Sequence, residues 1–454
     1  EPNPEDEFRD MLRDFLAGRG GVDPSKLAGA AGLPLDAAGL QAMMSQLQNA
    51  MNASASSDGG INWSLSMEQA KAHALKTVKS VGAITRAEID QAFHVGALWL
   101  TEVTDLSDLA LAPEVITRLE WIEQTMPLWV QLAEPVANSI SNAMTTVLTE
   151  QAPEEMKGMI ANASQLMRQI GGTLFAMQLG QIIGQLSCEV VSGGDVGIPL
   201  LADGQAALLP QNMDEFGEGL DIPMDQVQLY LAVRELALGR LFRHARWLRL
   251  NLMSAITDFA RGITIDLSAL EEVAGNFDPA NPDELREAMT SGALIPPKSE
   301  SQMAALARLE TQLALIEGWV DTVTEAAVAR LPRASAIGET VRRRRASGGP
   351  AESAFASLVG LELRPRRMRE ASQMWARLTE AVGPAMRDSL WAHPDVMPTA
   401  ADLDNPDALI ARLTGQAAGI QPEPDEMDLA LQDLLDGKGF DAPEADAVDE
   451  PPTP

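Results

Sequence analysis

The chain has 454 residues, of which 46% are hydrophobic and only 4% aromatic, and its formal net charge is −31. That length accommodates two or three domains, or one large helical domain with tails, around a core of Leu, Ala, Met and Val. The charge would repel phosphates and excludes nucleic acid as a general partner, and no apolar run approaches the ~20 residues of a membrane span.

In chain order, residues 1–65 read as a mobile N-terminal arm. Phe8, Met11, Leu12 and Phe15 share one helical face, Gly18 to Gly21 break the pattern, and a second apolar pattern runs from Leu35 to Met51. Ala53 to Gly60 is a Ser/Gly linker. The acidic opening at Glu1 shows no signal peptide, and the missing initiator Met leaves the completeness of the N-terminus open. Residues 66–420 form the main, overwhelmingly helical domain. Thr85-Arg-Ala-Glu88 is a capping-box pattern with a helix to about Thr104. A helix from Ala112 is expected to break or kink at Pro127. Gln151 to Val191 reads as one long apolar helix in which Gly171, Gly172, Gly180 and Gly184 permit close packing.

Strand signals appear at Val196–Leu201 and Ala206–Pro210, which flank a hairpin-type turn at Ala202-Asp-Gly204. Pro223 then opens a helix to about Gly262, with Asp221 as its expected cap. Ser299–Leu331 is a second long helix, Arg333–Gly349 a basic connector, and 352–361 and 366–391 are further helices. Residues 421–454 hold eleven Asp/Glu, one Lys and six Pro, and read as a disordered acidic tail with one amphipathic segment at Met427–Leu435. The expectation is a mainly α domain with a small β-hairpin or sheet element and two flexible tails.

Chemistry is sought first in Tyr230–Phe242. A zinc-protease helix needs H-E-x-x-H, two imidazoles one turn apart with a Glu that activates water. Here that frame holds Arg234-Glu235-Leu236-Ala237-Leu238. Together with Trp247-Leu-Arg249, the stretch resembles the zincin-like hydrolase, or zinc-dependent metalloprotease, family common in actinobacteria. Met177–Ser187, Leu315–Asp321, Leu361–Arg367 and Trp391–Asp395 are similar to further stretches of that family, and the likeness spans roughly 66–413. The resemblance implies that Glu235 stands at the general-base position and Glu317 at the third-ligand position. Asp321 stands where an acid orients a ligating histidine. The two histidine positions are taken by Arg234 and Leu238.

Neither replacement ligates zinc. His244 lies ten residues past Arg234, about 15 Å along the helix axis, and cannot serve in place of Leu238. His73, His94 and His393 have no sequence context that brings them to the site. A buried carboxylate that has lost its dication needs another cation, so a pair between Arg234 and Glu317 is expected. The expected cofactor is therefore none, with zinc absent. A basic island at Arg342, Arg343, Arg344 and Arg345, with Arg364, Arg366, Arg367 and Arg369, reads either as a partner-binding patch or as an internally paired cluster.

The leading expectation is a catalytically inactive pseudo-metallopeptidase that binds a protein or peptide. One alternative is an active zinc hydrolase with atypical ligands drawn from His73, His94, Glu317 or Asp321. Another is a structural subunit of a homo-oligomer. Cys188 is the only cysteine, which precludes an intrachain disulfide and fits a cytoplasmic location.

Overall fold

The computed structural model describes residues 61–150, 172–173, 175–261, 298–346 and 365–417. The expected N-terminal arm to residue 60, the helix at 352–361, most of 151–174, the stretch at 361–364 and the acidic tail with Met427–Leu435 lie outside the described residues.

Helix α1 (Trp63–Ala74) starts at Asn62, whose side chain accepts from Ser64 N. Helix α2 (Ala83–Thr101) begins earlier than the capping pattern implied. Gly82, extended and without a side-chain cap, precedes it, so Thr85 and Glu88 already lie inside the helix. Strand β1 (Glu114–Val115) occupies the region expected to start the next helix. That helix, α3 (Arg118–Glu150), opens at a reciprocal cap: Thr117 N donates to Glu120 (2.7 Å) and Glu120 N to the Thr117 hydroxyl (3.2 Å). It runs through both Pro127 and Pro135. A proline costs a helix interior about 3 kcal/mol. Buried Met126, Leu128, Trp129, Leu132 and Val136, packed against neighbouring elements, oppose that cost.

Residues 175–187 form helix α4, which ends well before Val191. Its glycines pack as the sequence implied. A Cβ on Gly184 would lie 2.7 Å from His73 Cβ, and one on Gly180 would strike the Ser66 backbone, so α1 sits directly on α4. Strand β2 (Ala207–Leu208) falls in the expected strand region, but the expected hairpin does not form. Instead β2 pairs in parallel with β1, Glu114 opposite Ala207 and Val115 opposite Leu208, and Ser192 bridges Leu208 from the other side. Val196–Leu201 is a buried loop because Gly197 takes a φ of +87°, which ends any strand there.

After α5 (Pro210–Gly217), helix α6 (Met224–His244) starts behind Pro223. Asp221 is not its cap: it lies two residues outside with a φ of +50°. The single helix expected to Gly262 is divided at Ala245, where ψ reaches 66°, and continues as α7 (Arg246–Arg261). Helix α8 (Glu300–Ala327) opens at a Ser299/Gln302 capping box. The basic connector proves to be helix α9 (Ala334–Ala346). Helix α10 (Met368–Ser389) kinks at Gly383-Pro384, and α11 (Ala400–Asp404) and α12 (Pro406–Ala417) close the described chain.

Helix α8 packs against α2, α6, α7 and α10. Beneath it Trp375 stacks on Trp391 at 5.4 Å, and Trp319 meets Trp391 edge-on at 6.5 Å. No described helix is long and apolar enough to cross a membrane.

Candidate functional site

Three helices and one loop make the site, with α9 supplying the arginines that meet the acids of α8. Helix α6 carries Arg234, Glu235 and Leu238, and α8 carries Glu317 and Asp321 one turn apart. Gly318 lets α10 approach α8, because a Cβ there would lie 2.6 Å from Ala371 Cβ. That contact fixes the rotation of α8 that aims Glu317 and Asp321 toward α6 and α9.

Glu317 is 2% exposed. The expected pair with Arg234 forms: the guanidinium of Arg234, 14% exposed, meets one carboxylate oxygen. A second guanidinium, from Arg345 of α9, meets the other oxygen. Burial alone would raise the Glu317 carboxyl, but Arg345 and Arg234 together hold it below the ordinary carboxylate range. Burial dominates at Asp321 instead and raises it, although Arg342 stands 3.3 Å away and the Ser372 hydroxyl donates to it at 3.0 Å.

Glu235 faces the loop. Gly194 N donates to one carboxylate oxygen (3.1 Å) and Ala207 N to the other (3.2 Å). Gly193 and Gly194 make this approach possible, since a Cβ on either would lie 3.0 Å from a Glu235 oxygen. Burial pushes the carboxyl up to about 7, against the hydrogen bonds from Ser192, Ala207 and Gly194. Leu238 packs on Gly194 beside it. Glu235 and Leu238 line a small, partly open cleft with Leu201, Phe242 and Arg249, with room for a few waters.

The basic island pairs within the chain. Arg344 binds the Asp195 carboxylate at 3.0 Å, Arg345 donates to the Asp195 carbonyl at 2.7 Å, and Arg342 also meets Glu325. Arg343 points outward and pairs with Glu339 of its own helix. Arg366 pairs with Glu310, Arg367 with Asp404 and Arg369 with Glu339, away from the cleft; Arg364 lies outside the described residues. Arg345, named in the sequence only as part of the basic island, belongs to the site, and so do Asp195 and the backbone of Gly193 and Gly194, which the sequence did not place there. The one signal for Asp195 and the two glycines was the Gly-Gly-Asp run, which carries no phosphate-loop continuation.

The donor set does not fit zinc. A guanidinium offers no lone pair, an isobutyl group has no donor atom, and both oxygens of Glu317 are engaged by guanidinium. Nor do His73 or His94 repair it: among the described residues, no three His, Cys, Asp or Glu are grouped so as to hold a metal. His393 pairs with Asp395 in its own turn.

A family model described as Zincin-like metallopeptidase matches residues 61–410. A solved structure from Chloroflexus aurantiacus, titled "a putative hydrolase with a novel fold", is 17% identical. It covers 78% of this chain and 99% of its own, with a TM-score of 0.54, a likeness that speaks to the fold alone. No curated protein matches the chain.

Proposed function

The chain belongs to the zincin-like metallopeptidase family, and from that premise we propose that it is a metal-free member whose cleft binds a protein or peptide without cutting it. One observation carries the reading: two guanidinium groups, Arg234 and Arg345, hold the two oxygens of Glu317. Two monocations thus supply the double positive charge that a zinc ion would bring to the same carboxylate. Protease clefts take extended chain beside a strand edge, and the Ser192–Gly194 run next to Glu235 and β2 supports that mode of contact. The single cysteine supports a cytoplasmic setting.

A second reading, a metal-independent hydrolase, is favoured by Glu235 alone. A carboxyl near 7 beside a water-sized cleft is suited to general-base work. Metal analysis of protein purified without added zinc tests the leading reading. The expected result is far less than one zinc per chain and no chelator-sensitive hydrolysis of fluorescent casein. Roughly stoichiometric zinc, lost on chelation together with hydrolysis, overturns it. Chelator-resistant hydrolysis that disappears in Glu235→Gln selects the second reading.

A further inference from the structure

Helix α9 is held mainly by charge. Ile337 and Val341 are its buried apolar anchors, whereas Arg342, Arg344 and Arg345 all turn inward onto acidic partners. The seat of Arg345 is specific. Its guanidinium meets the Glu317 carboxylate, donates to the Asp195 carbonyl at 2.7 Å, and lies so close to Gly197 that a Cβ there would overlap it. Gly197 thus leaves the room a planar guanidinium needs, and its φ of +87° turns the loop around the group. A buried carboxylate, an adjacent carbonyl and a side-chain-free wall favour arginine over lysine, because a planar fork fits the flat slot and presents a separate nitrogen to each acceptor.

We propose that this seat, on the other side of the Gly194–Gly197 loop from the cleft, is an arginine-binding subsite filled from within the chain by α9, and that the peptide partner presents an arginine that displaces Arg345. The proposal rests on the peptide-binding reading above and names the chemistry of the peptide. It also assigns α9 a role as an autoinhibitory plug, since the subsite opens only when Arg345 leaves.

The test uses the full chain in the presence of chelator. Nα-acetyl-arginine N-methylamide, its citrulline analogue and its lysine analogue are titrated into wild type, Arg345→Ala and Arg345→Ala/Glu317→Gln. The Arg345→Ala protein is expected to bind the arginine probe at least tenfold tighter than either analogue and at least tenfold tighter than wild type does. Adding Glu317→Gln abolishes the preference. Equal binding of arginine and citrulline probes by Arg345→Ala, or equal binding by wild type and Arg345→Ala, overturns the proposal. If Arg345→Ala does not fold, hydrogen exchange in wild type decides. A saturating concentration of the arginine probe speeds exchange across 334–346 at least tenfold while α6 is unchanged, and no difference overturns the plug. Stoichiometric zinc in untreated wild type would overturn the metal-free reading as well, whereas probe failure without zinc overturns this inference alone.

Discussion

Glu235 and Glu317 stand on neighbouring helices and titrate in opposite directions. Glu317 is held charged by two guanidinium groups, and Glu235 is held neutral by burial up to about 7. For Glu235 the folded protein binds its proton more tightly than the unfolded chain, so stability is present below about 4.5 and lost as pH rises to about 7. The loss is on the order of 3 kcal/mol. Glu317 and Asp195, both lowered, act the other way: their contribution is lost as pH falls through and below the ordinary carboxylate range. Stability should therefore peak in mild acid, near pH ~5, and decline toward pH ~8. Glu235→Gln should remove most of that decline, leaving the part that belongs to Asp321, Glu189 and Asp214, which burial also raises. Urea midpoints of both proteins across this range check it, and parallel pH profiles would exclude Glu235 as the source.

At the scale of the element, small residues and caps decide where helices meet and stop. Gly184 brings α4 onto Ala70 and His73 of α1. Gly184→Val should force the two helices apart and cost about 1–3 kcal/mol by overpacking. A denaturation midpoint unchanged from wild type would show that α1 yields without loss. The helical periods of α2, α6, α8 and α10 were legible because each sets apolar residues one turn apart, and the Ser299 start was legible from its neighbours. Three features were not. The passage of α3 through two prolines depends on packing from helices distant in sequence. The break at Ala245 has no local breaker residue. The pairing of β2 with β1 joins positions more than ninety residues apart, and nothing in the 196–210 segment records it. Similarly, four consecutive arginines left a partner-binding patch and an internally paired cluster both open, because only the rotation of α9 separates outward Arg343 from inward Arg342, Arg344 and Arg345.

Across the whole molecule, one helix joins the site to the core. Helix α8 turns Glu317 and Asp321 toward α6 and α9, while Trp319, between them in sequence, points into the tryptophan cluster. Its indole N–H donates to Asp388 at 2.9 Å. Asp388 also accepts from Thr104 (2.6 Å), from Asp105 N (3.0 Å) and from Arg387 (2.7 Å), so α10 and the end of α2 are tied to the same point. The Arg234–Glu317 pair was anticipated from the resemblance, which places residues 83 positions apart at one site. Its dependence on this distant cluster was not, since no motif spans the cluster. Trp319→Ala should cost about 3–5 kcal/mol through the cavity it leaves, while the Asp388 oxygen it donates to keeps its bond from Arg387. Because α8 carries Glu317, the same change should loosen the clamp, which separates this effect from simple core loss. The expected result is a lower urea midpoint together with faster hydrogen exchange at 317 and 321 and across α9. Retained protection at those positions, with stability lowered, would show that the site is held by its ion pairs alone and not by the core beneath it.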